Sequence, residues 1–389
     1  MSIKKVFKIT GIFLLSVLTA LVLLIVFFWV KVEYGTEITE IQSFGQTDPY
    51  IWNKVDLGDT CKCSDGSDYW IYTKKGQSDN LIIHLQGGGA CWDESSCVMP
   101  LGITNIKGFY LPRIFEWMFK AFFSHGIMKN NFEANPFKDW NIVFIPYCTA
   151  DLHIGNSENI YTDIDGNDIL VKHIGRTNVI SALHWIRNNI HDPDKVFITG
   201  ESAGGYGSIF WTPEIVRMFQ TSKFYQLSDC SFEKSQVLLD AVLLWNAETE
   251  KVLGFKTYID IINGALFQYS DSILKNTDII FFQSYSKFDE IALRFDAAIN
   301  NRDSESSELM HLWSNEMLTA VKQNSDSLNN YYYYITKWNQ KKNGKTPHTF
   351  LLLNPFYECI EGEVYYSEWL KEGVINDQPF SAGSLEPGL

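Results

Sequence analysis

Residues 195–208, KVFITGESAGGYGS, restrict the fold of this chain more than any other stretch. An apolar, β-branched run ends at Gly200, and Ser202 follows between small residues in the pattern Gly200-Glu201-Ser202-Ala203-Gly204. The apolar stretch GYGSIFW then resumes at helical spacing. A strand that turns sharply into a helix belongs to sheets with helices packed against them, and small residues around the serine allow the turn to be tight.

Other short apolar runs alternate with helical patterns along the chain. NLIIHLQ (80–86), NIVFIPY (141–147), KVFITG (195–200), FYQLS (224–228), DIIFFQSY (278–285) and NYYYYIT (330–336) read as strands. Most are continuously apolar, as expected where both faces of a sheet are covered. Helices are expected over 178–190 and directly after Ser202. The alternation predicts an α/β fold: an α/β-hydrolase-like, mainly parallel sheet with helices on both faces. Residues 101–139 interrupt it with the aromatic stretch GFYLPRIFEWMFKAFFSHGIM. That stretch reads as a helix packed on the core, with a lid or pocket wall as the alternative.

The 389 residues are 46% hydrophobic, enough for a large core and unlike a disordered chain. Between Lys8 and Lys31 no residue is charged. A helix of that length, about 33 Å, matches a bilayer core, so one N-terminal transmembrane helix is expected before the folded domain. Lys4, Lys5 and Lys8 put residues 1–8 in the cytoplasm and everything after the span outside it. Residues 9–30 are then the anchor, 31–374 the α/β-hydrolase-like domain, and 375–389 a loosely ordered tail; cleavage within the span would give a secreted protein. The net charge of −14 argues against nucleic acid as a partner. Membrane contact is expected only through the N-terminal helix, and the composition leaves the oligomeric state open.

Seven cysteines occur, at 61, 63, 91, 97, 148, 230 and 359. An extracytoplasmic location makes disulfides the default reading. No Cys-x-x-Cys pair supports zinc, and no metal or organic cofactor is expected. Cys91 and Cys97 flank WDESS as a plausible small loop, and the odd count leaves at least one thiol unpaired.

A serine hydroxyl needs a base to take its proton and donors to hold the oxyanion it creates. Ser202 is the expected nucleophile, and the N–H of Ala203, next in the chain, is one expected donor. A second donor should come from the glycines that follow LIIHL, in HLQGGGACWD (Gly87, Gly88, Gly89). In this fold the triad runs serine, acid, histidine along the chain. Of the two histidines beyond Ser202, His311 lies in a helical pattern. His348, in NGKTPHTFLLL, follows the last strand and is the expected base. The acid is Asp289, just past DIIFFQSYSKF, or Asp229, at the end of FYQLSD.

With these residues in view, the chain resembles the pectin acetylesterase/Notum family of α/β-hydrolase-like carboxylesterases. The matching blocks are CKCSDGSDYWIY (61–72), IIHLQGGGACWD (82–93), NPFKDWNIVFIPYCTADLHIGN (135–156), ITGESAGGYGS (198–208), FFQSYSKFDEIALRF (281–295) and GKTPHTFLL (344–352). The resemblance implies Ser202 as nucleophile, Asp289 as acid and His348 as base, with Gly87, Gly88 and Ala203 as the oxyanion hole. It implies a supporting role for Asp229, a Cys91–Cys97 disulfide, and pairing of Cys148 with Cys61 or Cys63. The implied activity is hydrolysis of acyl esters, and the substrate expected is an acylated carbohydrate or a small ester. The other class considered is a catalytically silent, membrane-anchored binding or adhesion module, which would be expected to lack the serine or the histidine.

Overall fold

The computed structural model describes residues 38–248 and 278–386, apart from 103, 104, 106, 130, 131 and 220, together with 17–19, 21, 22, 24 and 25. The membrane span anticipated over 9–30 therefore lies, but for those few positions, outside the described residues. Among the described residues no helix is long and apolar enough to cross a membrane.

All six anticipated strands form and lie side by side. The main sheet is built from β1 (Thr39–Glu40), β2 (Trp52–Asp56), β3 (Trp70–Lys74), β4 (Leu81–Leu85), β5 (Asn141–Ile145), β8 (Lys195–Glu201), β9 (Lys223–Asp229), β10 (Ile279–Ser286) and β11 (Tyr331–Thr336). Its order is β1-β2-β3-β5-β4-β8-β9-β10-β11. From β5 to β11 every pairing is parallel, and β3 is antiparallel to both of its neighbours. Two separate antiparallel hairpins lie outside this sheet among the described residues: β6 (Ser157–Thr162) with β7 (Asp168–His173), and β12 (Ile360–Glu361) with β13 (Val364–Tyr365).

The strand period of two divides the core between the two faces of the sheet. Leu81, Ile83, Val143, Ile145, Val196 and Ile198 point into one apolar cluster. Ile82, Ile142, Phe144, Phe197 and Tyr225 point into the other. The helices α1 (Gly175–Asn189), α2 (Ala203–Met218), α3 (Gln236–Leu244), α4 (Glu290–Ile299) and α5 (Ser307–Ser327) all bury residues in the first cluster. Helices cover the second face too, but among the described residues they are shorter. Phe119 lies in the helical segment 116–123, Phe356 in Pro355–Glu358, and Tyr366 and Trp369 in the segment 366–375, with Phe137, Trp140 and Phe350 added from loops. Large rings let these short helices fill that layer, because each aromatic side chain removes so much apolar area from water.

The aromatic 101–139 stretch does both things considered for it. Phe119 is fully buried and stacks on Tyr72, with ring centroids 3.9 Å apart. One turn away, Phe122 and Phe123 line a cavity. The tail departs from expectation: through residue 386 it is tied to the sheet rather than loose. Ile335 N–H donates to Ala382 O (3.0 Å) and Ala382 N–H to Tyr333 O (2.8 Å), so the tail pairs with the otherwise open edge of β11.

Candidate active site

The parallel strands end along one edge of the sheet, where α/β folds gather their functional groups. Gly87 follows β4, Ser202 follows β8, Asp229 ends β9 and Asp289 lies three residues past β10.

Ser202 sits between strand and helix at φ 54°, ψ −126°. A non-glycine residue at positive φ is strained, and the surrounding packing must hold it there. Its N–H donates to Asp229 O (2.8 Å). The flanking glycines are required by close approach. A Cβ on Gly200 would lie 2.0 Å from Gly204 O, one on Gly204 2.0 Å from Leu85 O, and one on Gly205 1.9 Å from Ser231 Oγ.

Asp289 is the N-cap of α4, its Oδ1 accepting from Ile291 N–H (3.0 Å) and Ala292 N–H (2.9 Å). The cap leaves Oδ2 for His348, whose Nδ1 lies 2.6 Å away. The alternative acid, Asp229, serves a different end. Its Oδ2 accepts from Phe350 N–H (2.6 Å) and Leu351 N–H (2.9 Å), and its Oδ1 accepts from Ser284 Oγ–H (2.8 Å). Asp229 therefore anchors the segment just past His348. Burial pushes its carboxyl up to about 6, against the pull of those three donors. On the other side of His348, Thr346 N–H donates to Phe288 O (2.9 Å) and Glu290 N–H donates to Thr346 O (3.1 Å).

His348 Nε2 is buried and has no hydrogen-bond partner among the described residues. Ser202 and His348 line the same two cavities. Burial is the largest influence on the imidazole and lowers its pKa, but Asp289, Asp229 and Glu201 together outweigh it. The net direction is above the ordinary 6.5.

The glycine loop corrects one expected role. Gly87 N–H donates to Glu201 Oε1 (2.8 Å) and is not available to an oxyanion. For the N–H groups of Gly88 and Ala203 no acceptor is found among the described residues. Glu201 itself was not singled out from the sequence. Its second oxygen lies 2.8 Å from His84 Nε2, and His84 Nδ1 lies 2.9 Å from Thr199 Oγ1, all buried. An acidic residue directly before the nucleophile and a histidine three before Gly87 were the available signals.

The disulfides are Cys63–Cys148 and Cys91–Cys97. Of the two partners left open for Cys148, Cys63 is used. Cys61 is a buried free thiol, as are Cys230 and Cys359.

Two cavities open at Ser202. The smaller, about 60 Å³, is walled by Ala90, Leu152, Tyr206, Phe232, Leu238 and Phe295. The larger, about 390 Å³, runs past Gly88, Phe109, Phe122, Arg294 and Leu353.

Residues 50–236 match the pectinacetylesterase family model. Among curated relatives, the chain is 29% identical over 152 residues to palmitoleoyl-protein carboxylesterase NOTUM of Schmidtea mediterranea, covering 38% of this chain and 27% of that one. It is 33% identical over 102 residues to pectin acetylesterase 7 of Arabidopsis thaliana, covering 25% and 24%. The chain thus spans about a quarter of the length of the curated relatives it matches. The fold is similar to that of the Wnt deacylase Notum from Drosophila, with a TM-score of 0.57 and 16% identity over 84% of this chain and 93% of that one. The stretch similar to the pectinacetylesterase family, residues 50–236, holds the glycine loop and Ser202.

Proposed function

We propose that the protein is a serine carboxylic-ester hydrolase that removes short acyl groups, acetyl above all, from a carbohydrate or a small ester. The observation that carries this reading is the strained Ser202 sharing its cavities with a His348 imidazole that Asp289 orients at 2.6 Å. The names of the relatives, palmitoleoyl-protein carboxylesterase and pectin acetylesterase, agree with acyl-ester chemistry.

In this mechanism His348 Nε2 takes the Ser202 proton as Oγ attacks the ester carbonyl. The N–H groups of Gly88 and Ala203 hold the oxyanion. Collapse expels the alcohol, protonated by His348. Water activated by the same nitrogen then releases the acid and restores Ser202. Asp289 keeps the imidazole in the tautomer whose Nε2 is free to accept.

Acyl preference follows from the smaller cavity. At about 60 Å³ it is much the smaller of the two. An acetyl methyl group fits there, and the larger cavity suits the alcohol. The protein's net charge disfavours a polyanionic polymer and favours a neutral one. The uncharged run from residue 9 to 30 and the three lysines before it support a single N-terminal membrane anchor with the hydrolase domain outside the cytoplasm.

The test is hydrolysis of p-nitrophenyl acetate, butyrate and octanoate by the wild type and Ser202→Ala. The expected result is turnover that falls with chain length and disappears in the variant. Equal inertness of both proteins on all three esters and on acetylated xylan would sink the reading.

A further inference from the structure

Cys230 has no part in the proposed reaction, yet its thiol lies beside the acid and the base. It follows Asp229 directly, is 5% exposed and sits at φ 54°. One donor atom from each of Cys230, Asp289 and His348 lies within 4.8 Å of the other two. A sulfur, an imidazole nitrogen and a carboxylate oxygen are the donor set of tetrahedral zinc sites that leave a fourth position open. Donors bonded to zinc at about 2.0–2.3 Å stand roughly 3.5 Å apart, so closing around a cation needs shifts of about 1 Å.

The carboxylates of Asp229 and Asp289, both buried beside the sulfur, would attract a cation held there. Of the two imidazole nitrogens, Nδ1 is the one on this side, 2.6 Å from Asp289 Oδ2.

We infer that Cys230, Asp289 and His348 form a binding site for a thiophilic divalent cation of the zinc type, and that its occupation reversibly blocks the site. As the metal bonds to the sulfur and to Nδ1, in place of the Asp289–His348 hydrogen bond, the thiol proton passes to buffer, the Nδ1 proton moves to Nε2, and no electron is transferred. The imidazole is then committed to the metal and cannot take the Ser202 proton. The cation is an inhibitor, not a cofactor. The blocking half of this inference rests on the esterase reading; the binding half does not.

Binding is therefore measured on Ser202→Ala, by titrating Zn²⁺ calorimetrically and Co²⁺ by absorption. The expected result is one equivalent of Zn²⁺ and a thiolate-to-cobalt charge-transfer band. Adding Cys230→Ser, or Cys230→Ala if the serine variant unfolds, should remove the band and weaken Zn²⁺ at least 30-fold. No saturable binding would overturn the site, as would a band or affinity unchanged by the loss of Cys230, since Cys61 and Cys359 are also free thiols. In the wild type, Zn²⁺ should abolish ester turnover and a chelator should restore it. Full turnover with the site saturated would overturn the block. A wild type inert without metal would instead sink the esterase reading and leave the binding result standing.

Discussion

The two halves of the site are held in different ways. The nucleophile half is local: β8, one strained residue and α2 are contiguous in the chain, and contacts that exclude any Cβ fix the turn. The base half has no regular element around His348. Its position depends on Thr346 hydrogen-bonded to Phe288 and Glu290, and on the carboxylate of Asp229 reaching amides 121 and 122 residues away. A short motif can place a nucleophile; placing its base takes the whole sheet.

The largest expected effect tests whether the halves act as one unit. Ser202→Ala and His348→Ala should each lower kcat/KM by about 10⁴-fold or more, and the double variant should fall little further. Losses that multiply in single- and double-variant kinetics would break the pairing.

Next comes the tertiary anchor. Asp229→Asn keeps the shape but replaces an acceptor serving two amides and a hydroxyl with a weaker one. A loss of about 1–3 kcal/mol of stability is expected, read by denaturant unfolding, with a drop in kcat of about 10–100-fold. An equal loss of stability with kcat intact would show that the base holds its place without Asp229.

A smaller effect sharpens the electrostatic side of the comparison. His348 must be neutral to accept the proton, and its pKa is raised, so kcat/KM should climb with pH along an acid limb lying above 6.5. Glu201 is one of the charges that raise it. Glu201→Gln should move that limb to lower pH, and by disturbing the Gly87 contact it should also reduce kcat by about tenfold. An acid limb that stays in place would deny Glu201 its influence on the base.

The smallest change concerns the acyl wall. Leu238→Ala should improve butyrate relative to acetate by about 10-fold, the scale of one or two methylenes in an apolar pocket. An unchanged ratio of kcat/KM would place the acyl group elsewhere.

These differences follow what could be read from the residues. The six central strands were legible because burial on both faces makes them continuous apolar runs. β2 and β3 were not, since Lys54, Lys74 and Asp56 break the run at the antiparallel side of the sheet. Ser202 and His348 could be picked out by motif and by order along the chain; order left Asp229 and Asp289 both open, and only the family resemblance favoured Asp289. Cys230 and Glu201 could not, because their meaning lies in neighbours reached only after folding. Gly87 shows the limit most clearly. The sequence places it beside the nucleophile, but not the carboxylate that occupies its N–H. The tail was misread for the same reason: nothing in its composition reveals the open edge of β11 that it covers.

Both disulfides lie on the nucleophile side. Cys91–Cys97 closes a loop two residues beyond Gly89, and Cys63–Cys148 ties the approach to β3 to the exit of β5 across 85 residues. The longer one alone constrains the unfolded chain by about 4–5 kcal/mol in the chain-entropy picture. The base side has no such cross-link; its cysteine, Cys230, is a free thiol. Production of the protein in a reducing cytosol would therefore not weaken it evenly. Such a preparation would keep the Asp289–His348 pair while the glycine loop opposite lost its staples, so it could look folded and still hydrolyse poorly until reoxidised.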